Sequence, residues 1–196
     1  MGGNSITTPE ESHLAVAGDG KRAAKLASST ALGIFAAGNI FAGRFIKAVV
    51  FPNMGGELTM GVPYSSRPLR LKGYYDYSPG TIDKTKSPYT DLNGTIDRCH
   101  IYVVLAERND PFEISTADKK FIDFENDPSI IAFGELVSDV KTNGYREFSI
   151  DLTYRDDRKP TMVAIVASAS RYGDYFTGST KSVLYIDEFE FDFEAN

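Results

Sequence analysis

One cysteine, two histidines and few basic residues are what this 196-residue chain is short of, and each scarcity removes a class of chemistry. Cys99 has no partner for an intramolecular disulfide, so stability has to come from packing, and the count leaves the redox compartment open. Lys and Arg number 21 against 27 Asp and Glu, giving a net charge of −6, and no run of Lys or Arg compensates locally. Nucleic acid and anionic membrane both demand a basic footprint, so neither is expected as a main partner. No apolar run approaches the roughly 20 residues that cross a bilayer as a helix, so no direct membrane insertion is expected. A charged start followed by an apolar core and a cleavage site is absent too. The sequence holds no phosphate-binding glycine loop, no His-Glu-x-x-His and no Cys-x-x-Cys. Cys99 and His100 are adjacent in a predicted strand and point to opposite faces, so they cannot serve as nucleophile and base; packing is expected for both.

What is present reads as β-structure. Residues 1–12 read as a flexible lead-in or expression-derived start, which leaves room for a native signal or upstream domain ahead of them. Residues 13–196 read as a single domain, long enough to bury a substantial core without staples. Gly18-Asp19-Gly20 marks a turn. Over residues 23–42 the alanines favour helix, but Ser28-Ser29-Thr30, Gly33 and Gly38 interrupt any continuous apolar face, so strand and loop are favoured there. Further strands are predicted over residues 40–45, 57–62, 67–77, 97–107, 130–136, 146–154, 161–168 and 182–191, with loops over 78–94 and 112–128. Eight or more short strands without a long amphipathic helix predict an all-β jelly-roll sandwich rather than βαβ units.

Three groups of residues carry candidate chemistry. In Asp187-Glu188-Phe189-Glu190-Phe191-Asp192-Phe193-Glu194, period two puts the phenylalanines on the core and Glu188, Glu190, Asp192 and Glu194 in solvent. Asp187 shares the parity of Val183, Tyr185 and Phe189 and is expected to point inward. It then needs backbone amides, an arginine or a structural Ca2+ to which Asp19 supplies a second ligand, with hydrogen bonding favoured over the cation. Tyr64, Tyr74, Tyr75 and Tyr77 cluster with Arg67 and Arg70. A strand there aligns Arg67, Leu69, Leu71, Gly73, Tyr75 and Tyr77 on one face, with space above Gly73. Aromatic faces beside arginines suit sugar C–H faces and hydroxyls, while a core or rim role explains the tyrosines equally simply.

Asn39 to Gly43, Gly55-Gly56-Glu57-Leu58, Ser66-Arg67-Pro68, Gly73 to Gly80, Gly173 to Thr180 and the closing Leu184 to Phe189 together resemble a bacterial family. It is the putative carbohydrate metabolism domain of the Bacteroides group. The match runs from about Ala23 to the C-terminus, and Lys181-Ser182 departs from the expected pattern. The resemblance implies a jelly roll like those of carbohydrate-binding modules, carried by an exported protein at the cell surface or in the periplasm, downstream of an immunoglobulin-like domain. It implies an accessory domain that binds or processes polysaccharide or oligosaccharide, with no cofactor beyond the Ca2+ considered above. On it, Arg67, Tyr75, Tyr77, Asp97, Ser170, Arg171 and Asp174 are the expected carbohydrate contacts, as polar or aromatic residues at strand ends and loops. No catalytic residues carry over. Two alternatives stand beside this reading: a glycoside hydrolase using two carboxylates among Glu57, Asp76, Asp97 and Asp174, about 5 to 10 Å apart across a cleft, and an adhesion or scaffolding module presenting a flat apolar patch.

Overall fold

A computed structural model describes residues 6–31 and 33–193, with the backbone of Gly2 and Gly3. Twelve strands carry the architecture: β1 (Thr7–Glu10), β2 (Ala23–Ala27), β3 (Asn39–Phe41), β4 (Gly43–Val49), β5 (Gly55–Met60), β6 (Arg70–Ser78), β7 (Cys99–Ala106), β8 (Phe112–Ser115), β9 (Ile130–Ser138), β10 (Arg146–Asp151), β11 (Met162–Ser168) and β12 (Val183–Asp192). Every pairing is antiparallel. The front sheet runs β3-β11-β7-β9, with short pieces at residues 2–3, 62–63 and 153–154 on its margins. The back sheet runs β10-β6-β12-β2-β1, and a third sheet runs β8-β5-β4. The all-β jelly roll expected from the strand spacing is the fold observed. The described residues of 23–42 form short strands and loops, as their interrupting glycines and serines predict. Thr7–Glu10, inside the expected lead-in, are an edge strand paired with β2.

β7 explains how the layers join. All eight of its residues are buried, because the run Cys-His-Ile-Tyr-Val-Val-Leu-Ala has packing partners on both faces. Cys99, Ile101, Val103 and Leu105 face the back sheet and pack with Leu26, Leu71, Tyr77, Phe148 and Leu184. Tyr102, Val104 and Ala106 face the other way and pack with Met60, Phe112, Ile114 and Ile122 under the third sheet. Burial pushes the Cys99 thiol up to about 12, which leaves it an inert apolar filler.

Two parity readings change in three dimensions. On β6 the set Leu71, Gly73, Tyr75 and Tyr77 does share a face, but that face is the core. The space above Gly73 is filled: a Cβ there would lie 2.6 Å from Phe189 and 3.0 Å from Phe148. On β12 a bulge opposite Lys72 and Tyr74, with Glu188 at φ +50°, reverses the alternation midway. Leu184 and Ile186 therefore pack inward before the bulge and Phe189 and Phe191 after it. Asp187 falls on the outer side with Tyr185, and is 5% exposed because the segment ahead of β2 lies over it. Its carboxylate accepts from the amides of Ala15 (2.8 Å) and Glu188 (3.0 Å). Beyond the bulge Glu188 pairs with Lys21, Glu190 is exposed and Asp192 pairs with Lys72; Glu194 lies outside the described residues.

Candidate functional site

The third sheet covers only part of the front sheet's outer face, and a cleft opens beside it. β7 presents His100 and Tyr102 to this cleft. The loop after β11 supplies Arg171, Tyr172, Asp174, Tyr175 and Phe176, the loop ahead of β7 supplies Lys86 and Tyr89, and the segment after β8 supplies Phe121 and Phe124. Three adjoining cavities of about 180, 320 and 280 Å³ share Asp174 in their walls. Tyr89 lies 4.2 Å from Tyr172 and meets Tyr175 edge-on at 5.0 Å, and Phe121 continues the line 4.8 Å from Tyr175. These rings pack on one another and are each half-buried at the cleft wall.

Polar groups converge on the same walls. His100 donates from Nε2 to Glu135 at 2.8 Å, and Arg171 Nη2 approaches the same carboxylate oxygen at 3.6 Å. Burial lowers the His100 pKa, so its imidazole is neutral at pH 7. Asp174 keeps one side open to solvent while protein crowds the others, and that desolvation raises its carboxyl to about 6. Two of the three non-glycine residues with positive φ among the described residues, Lys119 and Phe176 (both +55°), line the cavity that Asp174 borders. Such backbone, costing on the order of 1 kcal/mol, persists where surrounding structure imposes it.

Asp97 sets the position of the loop. Its Oδ2 accepts from the Ser170 hydroxyl (2.6 Å), the Ser182 hydroxyl (2.8 Å) and the Ser179 amide (2.8 Å), and Oδ1 accepts from the Arg98 amide. Desolvation raises the Asp97 pKa against those hydrogen bonds. Tyr77 adds a further tie, its hydroxyl donating to the Ala169 carbonyl at 2.9 Å.

The seven expected contacts thus separate. Arg171 and Asp174 stand in the cleft, while Asp97 and Ser170 meet as a buried hub beneath the loop, each 1% exposed. Tyr77 is fully buried, and Tyr75 is half-buried and packs edge-on against Phe148 beside the core. Arg67 is elsewhere, stacked over Tyr154 and donating to the Arg158 and Asp156 carbonyls. Missed by sequence reasoning were His100, Tyr89, Tyr172, Tyr175 and Phe121. The available signal was the run Ser170-Arg171-Tyr172-Gly173-Asp174-Tyr175-Phe176, where aromatics flank both expected polar contacts.

The four carboxylates considered for hydrolysis do not assemble. Asp97 is in the hub, Asp76 is tied to His13 (2.7 Å) and Thr142, Glu57 pairs with Lys47 (3.2 Å), and only Asp174 lines a cavity described here. Asp19 is exposed, and among the described residues no group of three or more His, Cys, Asp or Glu side chains gathers to hold a metal ion. A further cavity, about 570 Å³, opens between the sheets and is lined by aliphatic groups such as Ala24, Ile40, Ala42 and Ile165, with Thr7, Thr8, Arg22, Asp187 and Glu188 beside them. Its charged side chains are already engaged, Arg22 with Glu11, Asp187 with the Ala15 amide and Glu188 with Lys21, and the tyrosine cluster lies at the Asp174 cleft, which is the candidate site.

A family profile described as "Putative carbohydrate metabolism domain" matches residues 4–192. The chain belongs to that family. The putative carbohydrate metabolism domain here begins well ahead of Ala23, where the sequence resemblance started. Its fold is shared with the crystal structure of a putative glycoside hydrolase from Bacteroides thetaiotaomicron VPI-5482, with TM-score 0.71 and 22% identity over 97% of this chain. This chain spans 57% of that protein. A second putative glycoside hydrolase, from Bacteroides vulgatus ATCC 8482, superposes with TM-score 0.70 at 20% identity, covering 96% of this chain and 78% of the other. No curated protein matches the domain in sequence.

Proposed function

We propose that this domain binds glycan in the Asp174 cleft, as the carbohydrate-binding or carbohydrate-processing accessory part of an exported bacterial protein. One observation carries the reading: Tyr89, Tyr172 and Tyr175 form an aromatic wall on the same concave surface as Arg171, His100 and Asp174. Sugar rings lay their C–H faces on such a wall, and their hydroxyls take the polar groups. Family membership supports a carbohydrate role and leaves the ligand open.

A glycan array followed by calorimetry tests this. Tyr172→Ala and Tyr175→Ala should each weaken binding about tenfold, roughly 1.4 kcal/mol. Tyr75→Ala, once its folding is confirmed, should not. Binding indifferent to both cleft variants would place the site elsewhere. Export and an immunoglobulin-like neighbour belong to the same proposal; fractionating the producing cells tests the first, and the mass and limited proteolysis of the full-length protein test the second. Processing has one observation in its favour, the placement of the Asp174 carboxyl on the cleft wall beside Arg171 and His100. Release of reducing sugar abolished by Asp174→Asn, with binding retained, would establish it.

A further inference from the structure

Lys86 and Lys119 stand out against the charge of the whole chain. The domain is acidic, yet the 320 Å³ cavity beside Asp174 is bordered by both lysines. Their ammonium groups have no carboxylate within ion-pair distance among the described residues, as is also true of Lys25, Lys84, Lys141, Lys159 and Lys181; what sets Lys86 and Lys119 apart is that both border this cavity. Lys86 is held over the Phe176 ring, 4.8 Å from its centroid. Lys119 is fixed by its turn: Ser115 and Lys120 exchange backbone hydrogen bonds (3.0 and 2.9 Å), the Ser115 hydroxyl donates to Asp118, and Lys119 itself sits at φ +55°. The other polar side chains around that cavity, from Asn53, Ser87, Thr116 and Tyr175, carry no charge at pH 7. Two lysines and one carboxylate therefore border this cavity, and Arg171 joins Asp174 in the neighbouring cavities.

We propose that the cleft prefers acidic glycans, with a sugar-borne anion taken between Lys86 and Lys119 while the tyrosine wall holds the ring. This deepens the glycan-binding reading and rests on it. A uronate carboxylate and a sulfate ester present the same chemistry to a pair of ammonium groups. Because the lysines are exposed, their contribution is weakened by salt.

The test is a glycan array carrying neutral, uronate-bearing and sulfated sets, followed by calorimetry of each acidic hit against its neutralised counterpart. The counterpart is the methyl ester for a uronate and the desulfated oligosaccharide for a sulfate. We expect the acidic form to bind at least tenfold tighter at 50 mM salt, with the ratio shrinking at 500 mM, and the arm that responds names the anion. Lys86→Gln with Lys119→Gln should bring the ratio to within twofold of unity, whereas Lys159→Gln, away from the cleft, should leave it unchanged. Neutral hits alone, or a ratio that survives the double substitution, would overturn the preference and leave glycan binding standing. No binding on any set would remove both.

Discussion

At the scale of single residues, burial decides what each ionisable group can do. Asp174 lies on a loop and Asp97 immediately ahead of β7, but one opens on a cleft and the other closes a hub. For Asp174 the folded pKa of about 6 lies above the ordinary 3.8, so folding favours the protonated form. The associated stability is fully present below pH 3.8 and is lost as pH rises through about 6. Asp174→Asn should therefore match the parent's melting temperature near pH 3.5 and exceed it at pH 7.5. Solvent screening at this partly open site holds the gain to about 1 kcal/mol or less. Equal differences at both pH values would show that desolvation is not what raises the group. Tyr77→Phe removes the donor to the buried Ala169 carbonyl, and should cost about 1–2 kcal/mol by chemical denaturation.

At the scale of elements, the loop from Ser170 to Ser182 is held by its floor. Asp97→Ala would leave two buried hydroxyls and the Ser179 amide without their acceptor, an expected loss of about 3–5 kcal/mol. The same substitution should cut glycan affinity, because Arg171 and Asp174 ride on the loop; retained affinity in a folded variant would mean the loop is held otherwise. β6 supplies a contrasting case: Gly73→Ala pushes a methyl into Phe189 and Phe148 and should destabilise by about 1–3 kcal/mol. Strand parity on β6 was legible in the sequence, since period two requires only extended backbone. Which side was core was not legible, because Tyr75 and Tyr77 suit a sugar platform and an aromatic core equally. On β12 parity held for Phe189 and Phe191 but failed at Asp187 and ahead of it, because a bulge that no local composition announces shifts the alternation by one residue.

At the scale of the whole molecule, β7 belongs to two cores at once, so the sandwich and the third sheet should unfold together. Val103→Ala and Val104→Ala face opposite clusters, and each should cost about 2–3 kcal/mol while preserving a single transition. Separate transitions by circular dichroism and tyrosine fluorescence would show the layers to be independent.

The glycines and β-branched runs determined an all-β fold and the single cysteine rules out an internal disulfide, while the excess of acid set the expectation against a nucleic-acid partner, since these are properties of backbone propensity, residue count and net charge. The tertiary structure alone decided which polar residues meet. Asp97 and Ser170 are 73 positions apart yet bond at 2.6 Å, and Tyr89 reaches Tyr172 and Tyr175 from a separate loop. Such meetings depend on how strands distant in sequence pair and on which face the third sheet leaves open, and neither is written in any local window of the chain.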